Sequence, residues 1–77
     1  MAIFILYRKI RETETEVEYA YGPSSNQQEG RLILDSTDPT APAKRGAENP
    51  SGRQVAAKVL WLRQQEPTWT EGGAIQS

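Results

Sequence analysis

Residues 8–23 read RKIRETETEVEYAYGP, and the reading of this stretch decides the fold. Glutamates alternate with threonines, and the alternation continues without a break into valine and tyrosines. Period two over TEVEYAYG (15–22) is the signature of a β-strand with unlike faces. One face carries Thr13, Thr15, Val17, Tyr19 and Tyr21, the other Glu12, Glu14, Glu16, Glu18 and Ala20. The competing reading is a cation site. Alternate residues on a strand stand about 7 Å apart, whereas a hard cation collects several oxygens at about 2–2.6 Å. The glutamates therefore read as the solvated side of a strand, and no metal is expected.

Upstream, AIFILYRKIR (2–11) is rich in β-branched and aromatic residues and predicts another strand. Ile3, Ile5 and Tyr7 share one face; Phe4, Leu6 and Ile10 share the other. A hairpin through residues 12–14 would set Tyr7 opposite Tyr19 and Ile5 opposite Tyr21. Arg8 would then face Glu18, and Ile10 would face Glu16. The turn holds neither glycine nor asparagine, so a bulged or longer connection is expected in place of a tight primed turn. After a turn at 23–30, RLILD (31–35) reads as a third strand, with Leu32 and Leu34 on one side and Arg31, Ile33 and Asp35 on the other.

Residues 36–48 carry prolines, a glycine and little apolar bulk, and read as a flexible loop. A helix follows over about 50–66. Asn49 is suited to cap it, and Pro50 suits the first helical position, where its missing N–H is not needed. Val55, Ala56, Val59, Leu60 and Leu62 fall on one broad side. Pro67 disfavours helical geometry at Glu66 and ends the helix there. The tail, 67–77, reads as irregular, with Trp69 its large anchor. The fold class expected is α+β: a two-layer domain in which a three-stranded antiparallel meander packs against one C-terminal helix.

Composition excludes several functions. The chain has 77 residues, a formal charge of −1, no histidine and no cysteine. Without histidine the commonest general base is missing, and without either residue so are the usual zinc ligands. The serines have no base to activate them, and so small a two-layer fold offers little concave volume for paired carboxylates. An enzyme is not expected, and no cofactor is implied. No apolar run approaches the about 20 residues of a membrane span, and the absence of cysteine fits a reducing cytoplasm.

Two apolar features remain unexplained by a single core. Phe4 and Leu6 lie on the face of the first strand away from Ile5 and Tyr7, and something must cover them. Trp61 falls on the helical wheel beside Gln54, Lys58 and Gln65. Together with Trp69 these residues form a candidate interaction surface, with a protein partner or self-association as the expected use. Aromatic residues are enriched at such surfaces. The weaker alternative is a nucleic-acid surface built from Arg8, Arg11, Arg53, Lys58 and Arg63. Net acidity works against it, because phosphate attraction dominates such affinity.

Overall fold

Alternating side chains build the sheet, and a capped amphipathic segment closes over one of its faces. The computed structural model describes residues 4–23 and 30–76. Ile3 and the turn residues 24–29 lie outside the described residues. Strands β1 (Phe4–Glu12), β2 (Glu16–Gly22) and β3 (Gly30–Asp35) are followed by helix α1 (Pro50–Gln65) and strand β4 (Gly72–Gln76). The strands form one antiparallel sheet in the order β3-β2-β1-β4, with α1 packed on one face. The class is α+β, as expected. The sheet has four strands instead of three.

Helix α1 starts and stops where its sequence signals lie. Asn49 is extended, and its side chain accepts a 2.7 Å hydrogen bond from the Gly52 amide, with Pro50 behind it. Glu66, forced out of helical geometry ahead of Pro67, closes the last turn by donating its amide to the Leu62 carbonyl. Val55, Ala56 and Val59 are buried beneath the helix, with Leu60 half-buried beside them. They meet Ile5, Tyr7, Val17, Tyr19, Tyr21, Leu32 and Leu34 from the sheet. Trp69 completes this core from the chain just beyond the helix.

Three of the core side chains are tyrosines, and burial obliges their hydroxyls to find partners. The structure anchors two of the hydroxyls on backbone. Tyr19 donates to the Thr70 carbonyl at 2.7 Å. Tyr21 donates to the Gly46 carbonyl at 3.3 Å and accepts from the Asn49 side-chain amide at 2.7 Å. One tyrosine thus ties down the helix entry and its neighbour ties down the chain after the helix exit. Gly46 has φ +92, and a Cβ there would run into the Arg31 carbonyl oxygen. Only glycine lets the loop pass so close to β3 in this conformation.

The hairpin register departs from the expected one by two residues. Tyr7 pairs with Tyr21, Arg8 with Ala20 and Lys9 with Tyr19. A bulge between Lys9 and Arg11 then brings Arg11 opposite Glu18 and Glu12 opposite Val17. Tyr7 and Tyr19 meet edge to face, ring centroids 6.2 Å apart. The turn that sets this register is organised by Thr13, whose hydroxyl accepts the amides of Thr15 and Glu16. A turn without glycine needs such a side-chain acceptor, and the bulge absorbs the extra residue.

The tail is the larger correction. Read as irregular, it forms β4 and pairs with β1 from Phe4↔Gln76 to Arg8↔Gly72, so that β1 lies inside the sheet and not at its edge. GGAIQ has weak strand propensity. It pairs because Gly73 fits beneath Tyr7: a Cβ there would stand 2.8 Å from the tyrosine hydroxyl oxygen. Residues 36–48 also make specific contacts. Asp35 and Asp38 accept from Thr37 and Thr40, and Ile33 bridges Arg45 along the outer edge of β3.

Two outcomes follow from the tyrosines. Tyr21→Phe leaves the Asn49 amide and the Gly46 carbonyl without their partner and should cost roughly 1–3 kcal/mol, read as a lower urea midpoint at unchanged slope. Burial raises the hydroxyl pKa of Tyr7 and of Tyr19 above the ordinary value. The folded state therefore holds protons that the unfolded chain releases, so stability is full below pH about 10 and falls as pH rises beyond it. Tyrosinate absorbance from Tyr7 and Tyr19 should appear together with loss of the far-ultraviolet circular dichroism signal; ionisation of these two in an intact fold would contradict this.

Candidate functional site

The outer face of the sheet, away from α1, takes up the glutamate row. Arg11, swung to this face by the bulge, lies 3.1 Å from both Glu16 and Glu18. Arg31 reaches Glu18 at 3.7 Å and Lys44 reaches Glu16 at 3.5 Å. The Arg11 hydrogen bond holds the Glu16 carboxyl below the usual carboxylate range, with Lys44 adding to the effect. Glu14 sits exposed in the turn. Among the described residues no three acidic side chains converge on a point where an ion could sit. These carboxylates bind the arginines and lysine across the strands.

A cleft of about 640 Å³ lies between the helix C-terminus and the β1–β2 hairpin. Its lysine is already paired with two of its carboxylates. Lys9 lies 2.7 Å from Glu12 and 3.0 Å from Glu71, and Arg63 donates to the Glu66 carbonyl at 3.1 Å. The Arg63 guanidinium stacks over Trp69, 5.6 Å from the ring centroid, which leaves its Nε buried without a hydrogen-bond partner among the described residues. Nothing here pairs a nucleophile with a base.

The candidate interaction residues are not brought together. Trp69 belongs to the core, only 5% exposed, and is not available to a partner. Phe4, 44% exposed, and the half-buried Leu6 stand on the outer face of the sheet, with Ile10 exposed at the bulge. Trp61, 55% exposed, projects from α1 on the opposite side of the molecule, with Lys58 over its ring at 5.4 Å. The tail does not cover it. The five basic residues are divided in the same way. Arg8 and Arg11 belong to the outer sheet face; Arg53, Lys58 and Arg63 belong to the helix.

What the structure adds is the neighbour of Trp61. Ile75 of β4 lies on the helix side of the sheet, and with Gln54, Ala57, Lys58 and Trp61 it lines a shallow, mostly apolar groove. The groove runs beside the outer edge of β4, the end strand of the sheet, with which no other strand among the described residues pairs. Arg53, Ala57 and Trp61 follow one another at helical spacing along the exposed row above it. The sequence singled out Trp61 but not this setting. The available signal was Ile75, a lone branched apolar residue in a glycine-rich tail.

Compared with known proteins, the chain matches no family model, no curated protein and no solved structure. No helix among the described residues is long and apolar enough to cross a membrane.

The pairing of Glu16 can be measured directly. Its folded pKa is depressed, so its contribution to stability is present above the ordinary carboxylate range and is lost as pH falls through the lowered value. In a carbon-detected titration Glu16 should titrate below the ordinary carboxylate range. Arg11→Ala should move Glu16 back toward the usual value and leave thermal stability almost unchanged, as expected for an exposed pair.

Proposed function

We propose that this chain is a small non-catalytic protein-interaction module, docking through the side of the molecule where α1 and the free edge of β4 lie together. The single observation that carries this reading is Trp61, a large apolar side chain 55% exposed beside an apolar groove. A tryptophan left in water next to Ala57 and Ile75 adds nothing to the core, whereas at an interface it is the commonest kind of energetic anchor. Self-association is the simplest form of such a module, and a foreign partner is the other. Phe4 and Leu6, on the far face, would form a separate and smaller contact.

The nucleic-acid alternative has less in its favour. Its five cations lie on two sides of the sheet, Arg11 is engaged by two glutamates, and the chain is net acidic. A polyanion would meet no continuous basic track.

Site-specific photocrosslinking in the native cell tests the module. A photoreactive residue placed at Trp61 should yield a discrete adduct, and one placed at Glu14, on the far end of the hairpin, should not. An adduct of dimer mass identifies self-association and one of another mass identifies a foreign partner. No adduct at position 61, or the same adducts at both positions, would overturn the reading. Trp61→Ala should abolish the partnership while changing folding stability by less than about 1 kcal/mol, since an exposed side chain contributes little to the fold.

A further inference from the structure

We infer that the free edge of β4 takes up an extended acidic segment of another protein as a fifth strand, with an apolar side chain of that segment seated against Trp61. This rests on the interaction-module reading and names the chemistry of the partner.

The backbone provides the first part of the argument. Lys9 donates its amide to the Glu71 carbonyl at 2.7 Å, which fixes the phase of the β1–β4 ladder. Antiparallel pairing alternates, so Gly73 and Ile75 exchange bonds with Tyr7 and Ile5. The amides and carbonyls of Gly72, Ala74 and Gln76 then point away from β1; among the described residues the Gly72 carbonyl accepts the Thr70 hydroxyl at 3.3 Å, and no strand pairs with this edge. Proteins commonly protect an exposed edge with charge, proline, a bulge or a covering segment. Residues 72–76, GGAIQ, have no charge and no proline. The opposite edge, β3, is covered at Ile33 by Arg45. The two edges of one sheet are thus treated differently, and strand addition is the use that suits the bare one.

Side chains provide the second part. Alternate residues of an added strand would face α1 and enter the groove between Ala57, Trp61 and Ile75. Bulk is accepted there, because β4 itself offers only glycine, alanine and one isoleucine.

Charge selects the partner. Helix α1 carries Arg53, Lys58 and Arg63 and no carboxylate, while β4 is uncharged and the whole chain is net −1. The acidic residues of β1 and β2 are placed at the other end of those strands, where Arg11, Lys9 and Lys44 pair with them. Arg53 and Lys58 have no ion-pair partner among the described residues and flank the groove. An acidic strand complements them. A second copy would bring two cationic, acid-free helices together, which like-charge repulsion disfavours. A polynucleotide would meet the same cations but could not continue the strand ladder.

The test is a nitrogen-15 amide titration of the whole chain with three capped heptapeptides. One alternates glutamate with isoleucine, one alternates lysine with isoleucine, and one is the acidic peptide N-methylated at alternate amides. The acidic peptide should move the amides of Gly72, Ala74 and Gln76 and the Trp61 indole, with affinity falling as salt is added. Lys58→Glu and Arg53→Glu, both at exposed helix positions, should each weaken it tenfold or more while leaving the remaining spectrum in place. Equal binding of the lysine peptide or of the N-methylated peptide overturns the inference, as does no response to any of them. The same shifts on raising protein concentration alone would put a second copy on the edge, and the same shifts with oligothymidylate would replace the acidic protein segment by a nucleic acid; either result also overturns it. An edge that ignores the acidic peptide while position 61 still crosslinks would leave the module standing and remove only this partner.

Discussion

Two hydroxyl groups hold the two layers together. Tyr19 and Tyr21 stand two residues apart on the same face of β2, the strand between β1 and β3, and both rings are buried. A buried phenol left without a partner would cost about as much as several well-packed methyl groups contribute. Each hydroxyl therefore has to draw in a backbone carbonyl. Tyr21 binds Gly46 at the approach to the helix, and Asn49 links the same hydroxyl to the helical N-terminus. Tyr19 binds Thr70 immediately before β4. The spacing of two side chains on one strand thereby sets where the helix begins over the sheet and where the chain returns after it.

That return has a structural consequence. Holding Thr70 against Tyr19 delivers Gly72 and Gly73 to the flank of β1, where the lack of side chains lets them lie against Tyr7. The strand made this way is short, uncharged and left at the edge. Its position next to Trp61 is what turns a single exposed aromatic into a groove beside a strand edge that no other strand of the sheet covers. Charge is sorted along with it. The acidic residues of the hairpin are neutralised within the outer sheet face, while the helix retains its cations beside the groove.

Much of this was legible from local pattern. The alternation in 15–22, the paired leucines at 32 and 34 and the helix cap at Asn49 each report a local preference, and each is found as read. The register of the first hairpin was not legible. It depends on a bulge at Ile10 and on the Thr13 side chain organising the turn, and the hydrophobic pattern alone is equally satisfied by a shift of two residues, which keeps every side chain on its face. The cross-strand charge argument pointed to Arg8 as the partner of Glu18. The bulge gave that place to Arg11, which reaches Glu16 as well.

Taken alone, the order of residues determined which segments alternate, which segment coils, and which side chains must leave water, because these follow from propensity and periodicity within a few neighbours. Tertiary structure alone decided that GGAIQ is a strand, that Phe4 and Trp61 stand on opposite sides, and that Trp69 is core. The reason is that β4 draws its stability from Tyr7 and the β1 backbone, more than sixty residues away in the chain, and no local preference can report a partner so remote.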